Sequence, residues 1–395
     1  MALLSVSEAL ARILASAKFS GVEDVPLSQA IGRVLALPLK ARRDQPPFEG
    51  SAMDGYAVIA GDSPELKLIG VSAAGHRFKG TVKRGQAVRI FTGAPLPKGA
   101  DAVITQENVG PGDGRITCHE PVRAGQNVRG RGLDFRSGEE LIPVGTKLNA
   151  RDLGLAAAMN RATIRVRKKP HVVLFATGDE LVEPGAKPKA GQIVSSNSTA
   201  LAALAGHFGA RVTNLGIVRD DLKATIRAVR KASDADILLT TGGASVGDHD
   251  YVQEALKAAG VTVGFWKVAL RPGKPLMYGR KSQLHVLGLP GNPVSAQVCA
   301  RLFLVPLLNA MLGLPALPEA TAVLGAPMKA NDSRQDYVRA ALEIHANGTR
   351  VAMPFNRQDS SMQRTFREAQ ALIIRPPNAP EASAGTPVPI VLLDF

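Results

Sequence analysis

The segment "ADILLTTGGASVGDHDY" (235–251) indicates how the middle of the chain folds. Its apolar run Ile237–Leu239 is typical of a buried strand, and it ends at Thr-Thr-Gly-Gly, shortly before two acids, Asp248 and Asp250. Glycine adopts positive φ without strain and lets a ligand approach the main chain closely. With a helix starting at about Tyr251, this loop is either an ordinary turn or a cradle for a phosphate or carboxylate.

Three more strand-like runs share this arrangement, namely "HVVLFA" (171–176), "RVTNLGIV" (211–218) and "LHVLGL" (284–289). Helical patterns alternate with the strands, which predicts a doubly wound, mostly parallel α/β sheet. The strands are followed by "TGDEL", "RDD" and "PGNPVS", so all four loops are polar. Such loops lie at the carboxyl edge of an open α/β sheet, where ligands bind. We therefore predict a binding site at that edge.

The predicted fold class is α/β plus β, with several domains. The first part of the chain is rich in Gly, Pro and short β-type runs such as "AVRIF" (87–91) and "DAVIT" (101–105), and "SVSE" (5–8) predicts a capping box that opens an amphipathic helix. The chain ends in short strands again. The predicted domains are 1–42 with 137–169 (N-terminal helix and β-rich), 43–136 (inserted, β-rich), 170–312 (α/β) and 313–395 (small C-terminal β domain).

The net charge of +14 suits an anionic partner, which could be nucleic acid, a membrane surface or a phosphorylated small molecule. Only 4% of the residues are aromatic, which argues against a base-stacking surface. The densest basic run, "RATIRVRKKP" (161–170), alternates with apolar residues, so a strand with one charged face is favoured over a nucleic-acid tract. A small anionic substrate, without nucleic acid, is the preferred prediction.

The sequence also favours a cytoplasmic protein without a membrane span. The N-terminus lacks the basic region of a signal peptide. One apolar stretch, 294–314, has membrane length, but Arg301, Pro306 and Asn309 interrupt it, which favours a buried helix. The two cysteines lie far apart and form no metal-binding spacing, which fits a reducing compartment.

Cations follow the third strand in "WKVALRPGKPL" (266–276), where Lys267, Arg271 and Lys274 surround a Pro-Gly turn. Cations beside loops with free N–H groups suit a multiply charged anion. The usual nucleotide fingerprints are absent, since no G-x-G-x-x-G follows the first strand and no Gly-Lys-Ser/Thr occurs.

Acids could provide a metal site at the same edge. The carboxylates there suit a hard cation such as Mg²⁺ bridging phosphates, although at least two of the five are expected to be cap or turn residues: Asp179, Glu180, Asp220, Asp248 and Asp250.

The first part of the chain holds a second constellation. "PPFEGSAMDGYAV" (46–58) places Asp54 in a Gly-flanked turn, and Thr92 follows a strand in "RIFTGAPLPKGAD" (89–101). "NVRGRGLDF" (127–135) adds Arg129, Arg131 and Asp134. Each segment alone reads as a β-turn.

Together these segments resemble the molybdopterin molybdenumtransferase (MoeA) family, which is related to the C-terminal part of gephyrin. The resemblance runs in order from about residue 5 to the end and is weakest after 313. It is carried by "SAMDGYAV", "RIFTGAPLPKGADAVI", "GQNVRGRGLD", "KPHVVLFATGDELVEPG", "LGIVRDD", "TTGGASVGDHDY", "FWKVALRPGKPL" and "GLPGNPVSA".

The resemblance implies a cytoplasmic homodimer that releases AMP from adenylyl-molybdopterin and inserts molybdate at the dithiolene, with Mg²⁺ or a similar ion. It also implies that residues 43–136 of the partner subunit cover the site on the α/β sheet. The implied catalytic residues are Asp54, Thr92, Asp134, Glu180, Asp220 and Asp250, of which Glu180, Asp220 and Asp250 position the metal. The implied substrate-binding residues are Arg129, Thr241, Gly242, Gly243, Ser245, Gly247, Lys267, Arg271, Lys274, Pro290, Gly291, Asn292, Pro293 and Ser360.

Two positions depart from the family pattern. Arg271 stands where many members have Lys, which replaces a point charge with a planar fork. Ser195 stands where the family often has Asp, so that position lacks a carboxylate.

Other functions stay open from the sequence. One is the adenylyltransferase of the preceding step, which shares the sheet and a similar Thr-Gly-Gly loop. A second is a gephyrin-like scaffold, and a third is nucleic-acid binding through the positive charge. The long N-terminal region and the C-terminal β domain favour the insertase.

Overall fold

The structure, a computed structural model, describes residues 3–242 and 251–395. Its helices are α1 Val6–Leu14, α2 Ala150–Ala158, α3 Asn197–His207, α4 Leu222–Lys231, α5 Tyr251–Ala258, α6 Pro293–Cys299, α7 Val305–Leu312 and α8 Gln363–Glu368, with a π segment at Ala300–Leu304 and 3₁₀ turns at Leu27–Gln29 and Gln106–Asn108.

The strands fall into three groups along the chain. The first group is β1 Val22–Pro26, β2 Leu39–Lys40, β3 Gly50–Ser51, β4 Gly55–Val58, β5 Glu65–Ser72, β6 Gln86–Ile90, β7 Ala102–Thr105, β8 Val109–Pro111, β9 Arg115–Cys118, β10 Val128–Arg129, β11 Glu140–Ile142 and β12 Thr163–Arg167. The second is β13 His171–Thr177, β14 Leu181–Val182, β15 Ile193–Val194, β16 Arg211–Val218, β17 Ile237–Thr241, β18 Thr262–Phe265, β19 Leu270–Arg271, β20 Met277–Lys281 and β21 Leu284–Leu289. The third is β22 Ala320–Leu324, β23 Gln335–Ile344, β24 Arg350–Pro354, β25 Ala371–Arg375 and β26 Pro387–Leu392.

The chain forms two compact units, Met1–Val22 with Arg167–Phe395, and Glu23–Val166. In the first unit a six-stranded sheet has the order β16-β13-β17-β21-β20-β18. The four strands predicted from the sequence are neighbours and parallel, whereas β20 runs antiparallel to both of its own neighbours, β21 and β18. The prediction of a mostly parallel α/β sheet is confirmed, and the loops after the four strands leave from one edge.

Both faces of this sheet are buried at its central strands, β13, β17 and β21. Along β13, Val172 and Leu174 pack into one apolar cluster, while Val173 and Phe175 pack into another. Successive side chains of a strand point to opposite faces. This is why the strand reads as a continuous apolar run instead of an alternating one.

The predicted buried helix is also confirmed. Pro293–Leu312 is a continuous helical stretch that is long and apolar enough to cross a membrane, but 83% of its most apolar window is buried inside the protein. Arg301 lies within it, and its buried side chain donates through Nη2 to the carbonyl of Leu392 over 3.1 Å. This hydrogen bond satisfies one buried donor of the cation, whereas its Nε has no partner among the described residues.

Helix α1 has the predicted capping box, in which Ser5 and Glu8 exchange side chain–backbone hydrogen bonds. Its apolar face, formed by Val6, Ala9 and Ile13, packs into the core of the α/β unit. The sequence pattern groups this helix with residues 137–169, and the contacts correct that grouping. Amphipathic periodicity identifies the buried face of a helix, but it does not identify the core that covers it.

The C-terminal strands form a sheet of order β19-β23-β24-β22-β26-β25, and an extra β23–β25 pairing closes five of them onto themselves. Its inner residues, such as Leu324, Ala340 and Ile373, form a separate small core. The predicted C-terminal β domain is therefore present within the first unit.

The second unit is β-rich, as predicted. Its largest sheet has the order β7-β4-β6-β5-β9-β8 and contains both "AVRIF" and "DAVIT". The basic run at 161–170 contains β12, in which Ile164 and Val166 are buried while Arg165 pairs with Asp24 over 2.8 Å. This confirms a strand with one charged face.

Candidate functional site

Gly242 lies at the carboxyl end of β17, where the backbone has a φ of +83°. A Cβ at this position would lie 2.3 Å from the carbonyl oxygen of Thr177, the last residue of β13. Only glycine allows two strand ends to approach this closely. Packing at the sheet edge thus requires glycine at position 242, in the segment Thr-Thr-Gly-Gly for which the sequence predicts a turn.

Asn197, at the start of α3, joins two further loops of the same edge. Its Nδ2 donates to Thr241 Oγ1 over 2.9 Å and to the carbonyl of Gly291 over 2.7 Å. The hydroxyl of Thr241 in turn donates to the carbonyl of Pro290 over 3.1 Å. The loops after β17 and β21 are therefore held together by buried side chains, and Thr241, Pro290 and Gly291 lie together at this edge of the sheet.

Ser360, from the C-terminal β domain, meets the same loop. Asn292 Nδ2 donates to Ser360 Oγ over 2.9 Å, and the amide of Val294 donates to the Ser360 carbonyl over 3.0 Å. Pro293 occupies the first turn of α6, where its missing N–H costs nothing. These contacts place Ser360 beside Asn292 and Pro293.

The acids form a partial cluster. The amides of Asp179 and Asp220 each donate to the other residue's carboxylate over 3.3 Å, so the loops after β13 and β16 adjoin. The Glu180 carboxylate lies close over Gly178, where a Cβ would be 2.6 Å from Oε2. Asp221 caps α4 through a bond from the Ala224 amide.

Residues Gly243, Ser245, Gly247 and Asp250 lie outside the described residues, as does Asp248. Across 3–242 and 251–395, no group of three or more His, Cys, Asp or Glu side chains is placed to hold a metal. The predicted metal set has two members in the described part, Glu180 and Asp220, on adjoining loops. Carboxylate oxygens are suitable ligands for Mg²⁺, so the chemistry of these two residues fits a divalent ion.

Several buried polar atoms near this edge have no hydrogen-bond partner within the described part of the chain. They are Thr177 Oγ1, Ser195 Oγ, Asn197 Oδ1, Ser198 Oγ and Thr240 Oγ1. A buried polar group without a partner typically costs about 1–3 kcal/mol. A ligand that offers several donors and acceptors would remove that cost.

The three predicted cations differ in their surroundings. Arg271 Nη1 and Nη2 bind Asp332 and Asp336 of the C-terminal domain, over 3.1 Å and 2.5 Å. Lys267 is half-buried and Lys274 is exposed, and neither makes an ion pair within the described residues. The two lysines are therefore the cations of this connection that have charge available for an anion.

In the second unit Asp54 and Thr92 are brought together. The amide and the hydroxyl of Thr92 both donate to Asp54 Oδ1, each over 2.7 Å. These bonds, the amide's first, hold the pKa of Asp54 below its usual value. Arg89 contributes less to that lowering, and its guanidinium lies 4.9 Å from the centre of the Tyr56 ring.

Arg129 and Asp134 belong to the segment 127–135 of the second unit. Arg129 is in β10 and is paired with Gly50 of β3, and the amide of Asp134 donates to the Gln45 carbonyl over 2.9 Å. Neither side chain makes a hydrogen bond or ion pair within residues 3–242 and 251–395. Arg131, by contrast, pairs with Asp44 over 2.5 Å.

Comparison with known proteins identifies the family. Family models match three consecutive regions, described as MoeA N-terminal region (domain I and II) at 4–160, probable molybdopterin binding domain at 173–310 and MoeA C-terminal region (domain IV) at 321–393. A protein of Haemophilus influenzae named molybdopterin molybdenumtransferase is 33% identical over 397 residues, covering 98% of each chain. The chain belongs to the MoeA family.

Other MoeA relatives agree. A molybdopterin molybdenumtransferase of Nostoc sp. is 36% identical over 340 residues, covering 83% of this chain and 75% of that protein. The crystal structure of a molybdopterin biosynthesis MoeA protein from Pyrococcus horikoshii superposes with a TM-score of 0.88 at 30% identity, covering 100% of both chains. The multidomain MoeA fold, with its molybdopterin-binding α/β domain and C-terminal β domain, follows from these matches.

Arg339 is a buried residue of this MoeA chain that sequence reasoning missed. It is 1% exposed in the middle of β23, where Nε donates to Gln358 Oε1 over 3.1 Å and Nη1 donates to the Asp359 carbonyl over 2.8 Å. Its Nη2 has no partner among the described residues, and burial lowers its pKa. This buried cation adjoins the 358–360 segment that carries Ser360. The available signal was an arginine within the apolar strand "DYVRAAL".

Proposed function

We propose that the protein transfers molybdenum to molybdopterin during synthesis of the molybdenum cofactor. Its relatives in the MoeA family are named molybdopterin molybdenumtransferase, and these names support a transferase activity. In the proposed reaction adenylyl-molybdopterin is cleaved with release of AMP, and molybdate is inserted at the dithiolene. The alternatives of an adenylyltransferase or a scaffold are not favoured by these relatives.

The observation that carries the proposal is the sheet edge itself. Three loops there are joined through Asn197, Thr241 and Gly291, yet buried polar atoms beside them lack partners within the described residues. Such a site is preorganised and leaves donors and acceptors for a polar ligand. A pterin nucleotide offers many complementary groups.

Residues at the sheet edge take the following roles in this proposal. Gly242 lets the end of β17 lie close against Thr177, and we assign the phosphate cradle to this turn together with Gly243, Ser245 and Gly247. Lys267 and Lys274 offset the negative charge of the phosphates and of molybdate, which is itself a substrate.

A divalent ion such as Mg²⁺ would be held by Glu180 and Asp220, together with Asp250. When bound, it would stabilise negative charge at the phosphoanhydride. Glu180 and Asp220 lie on adjoining loops, so both carboxylates can serve the same part of the site.

The second unit contributes Asp54, Thr92, Arg129 and Asp134 as positioning or acid–base groups. We propose that the protein is a cytoplasmic homodimer in which this cluster, within residues 43–136, covers the site of the partner subunit. Light scattering after gel filtration tests the dimer, since a monomer at assay concentration would contradict it.

The deciding experiment measures AMP release from adenylyl-molybdopterin with molybdate, with tungstate or with neither. An insertase releases AMP in an oxyanion-dependent manner, and Glu180→Ala and Asp250→Ala abolish the release. Normal turnover by either variant would overturn the assignment of these acids. Net synthesis of the nucleotide from ATP and molybdopterin would establish the adenylyltransferase instead.

A further inference from the structure

The connection between β18 and β20, residues 266–276, carries three cations for which the sequence predicts the same role, Lys267, Arg271 and Lys274. In the structure they are not alike. Arg271 binds three acceptors at once, because Nη1 donates to Asp332 Oδ2 over 3.1 Å, and Nη2 donates to Asn331 Oδ1 over 3.1 Å and to Asp336 Oδ2 over 2.5 Å. A guanidinium whose charge is offset by two carboxylates attracts an anionic substrate only weakly.

The acceptors of Arg271 are themselves fixed. Asn331 Nδ2 donates to the carbonyls of Arg334, Arg375 and Pro376 over 2.8–3.0 Å. Asp332 accepts from the Arg334 side chain and amide, and these bonds are the main reason that the pKa of Asp332 falls to about 2. Asp332 is thus ionised at neutral pH, and the turn that binds Arg271 is held by several hydrogen bonds.

The main chain beside Arg271 is fixed as well. Residues Leu270 and Arg271 form β19, which pairs with Gln335–Asp336 of β23. Gly273 has a φ of +119°, and a Cβ there would lie 2.4 Å from Sγ of the buried Cys299. The chain is therefore held by the C-terminal sheet on one side and by the end of α6 on the other. The exposed Lys274 follows directly after this held segment.

We propose that Arg271 is a positioning residue, which fixes Lys274 at the sheet edge and does not contact the substrate. An arginine suits this role because its planar fork reaches three acceptors, whereas a lysine ammonium cannot span Asp332 and Asp336 in the same geometry. The inference rests on the proposed function in one respect, namely that Lys274 meets the anionic substrate.

The kinetic test compares Arg271→Ala, Arg271→Lys, Asp336→Asn and the Arg271→Ala/Asp336→Asn double variant in the AMP-release assay. A displaced Lys274 should lower kcat about ten- to a hundredfold, since errors of about 1 Å in placement have effects of that size. We expect Asp336→Asn to lower kcat in the same direction as Arg271→Ala, the double variant to be no worse than Arg271→Ala, and Arg271→Lys to be intermediate. Arg165→Ala, which removes an exposed Arg–Asp pair in the other unit, is the matched control.

The opposite pattern would overturn the proposal. If Arg271 bound the substrate directly, Asp336→Asn would release a cation and leave substrate affinity unchanged or higher. Arg271→Ala alone would then raise KM, and the rise would shrink with added salt. Urea unfolding of each variant shows whether a loss of activity reflects loss of fold.

A second readout separates this inference from the proposed function. Trp266 is the only tryptophan of the chain and begins the same connection. Its quenching by acrylamide should increase in Arg271→Ala and Asp336→Asn but not in Arg165→Ala. If the wild-type protein releases no AMP, the proposed function fails while this fluorescence result still supports the positioning role. Unchanged quenching in both variants, with normal wild-type activity, would refute the positioning role alone.

Discussion

Thr92 donates twice to one carboxylate oxygen of Asp54, through its amide and through its hydroxyl, each over 2.7 Å. Both residues are exposed, so this pair contributes little to a hydrophobic core. Its effect is to orient the carboxylate and to keep it ionised, because both bonds favour the charged form and lower its pKa. An oriented, ionised carboxylate on a surface loop is suited to contact with a substrate and adds little to the stability of the fold.

Replacing Thr92 with Val should therefore lower the rate of AMP release while the protein stays folded. The amide bond remains and the hydroxyl bond is lost, so the pKa of Asp54 rises toward its usual value and the acid limb of the rate profile moves to higher pH. We expect about a tenfold loss, which is less than removal of a general acid or base usually causes. Thr92→Ser keeps the hydroxyl and is the control. An unchanged pH profile for Thr92→Val would argue against a role for this pair.

Replacing Gly242 with Ala should destabilise the α/β unit. A positive φ costs a non-glycine residue about 1–2 kcal/mol, and the approach of Cβ to the Thr177 carbonyl adds strain of about 1–3 kcal/mol. Gly185 has a φ of +91°, and a Cβ added there would meet no atom within 4 Å, so Gly185→Ala isolates the first contribution. Urea denaturation should show a clearly larger loss for Gly242→Ala. Equal losses would mean that the sheet edge adapts to the added methyl group.

Replacing Asn197 with Asp should impair both stability and activity more than replacement with Ala. Asn197 Nδ2 donates to Thr241 Oγ1 and to the Gly291 carbonyl, and a carboxylate in its place would bring a buried charge against that carbonyl. Asn197→Ala leaves acceptors unsatisfied at about 1–3 kcal/mol each. Denaturation and AMP release report the two effects. Wild-type turnover by Asn197→Ala would show that the joined loops are not needed for the reaction.

The fold was predictable where local pattern and tertiary packing agree. The central strands around Val173, Leu238 and Leu287 are mostly apolar because both faces of the sheet are covered there, and this pattern is visible in the sequence. The core to which helix α1 belongs was not predictable. Its sequence pattern shows which face is apolar but not which domain packs against that face. The closed ring of C-terminal strands depends on pairings between distant segments and was also beyond local pattern.

The position of the candidate site's loops was predictable from the sequence, but the contacts within it were not. Strand order brings the polar loops to one edge, so Thr241, Gly291 and Asn292 could be placed together from the sequence. The state of each cation could not be inferred in this way. Arg271 lies next to Asp336 only because β19 pairs with β23, and Arg339 is buried because its strand closes the C-terminal sheet.

His285 should make the stability of the α/β unit depend on pH. It is 2% exposed in β21, and Tyr278 Oη lies 3.0 Å from its Nδ1, while Ser16 Oγ lies 2.9 Å from the same Tyr278 oxygen. Burial is the main reason that the pKa of His285 falls from 6.5 to about 4. As the pH falls below 6.5 the unfolded chain binds this proton first, so stability present above pH 6.5 is lost down to about pH 4, and no further loss comes from His285 below that.

The measurement is the free energy of unfolding in urea between about pH 4 and 7.5, for the wild-type protein and for His285→Gln. Glutamine can still accept a hydrogen bond from Tyr278 but does not titrate, so the variant should lose part of the acid-induced destabilisation. The difference between the two curves should amount to about 1–3 kcal/mol, since each unit of pKa corresponds to about 1.4 kcal/mol. His171, whose pKa burial also lowers, titrates in both proteins and cancels in the difference. Parallel curves across this range would show that the buried imidazole carries no linked proton.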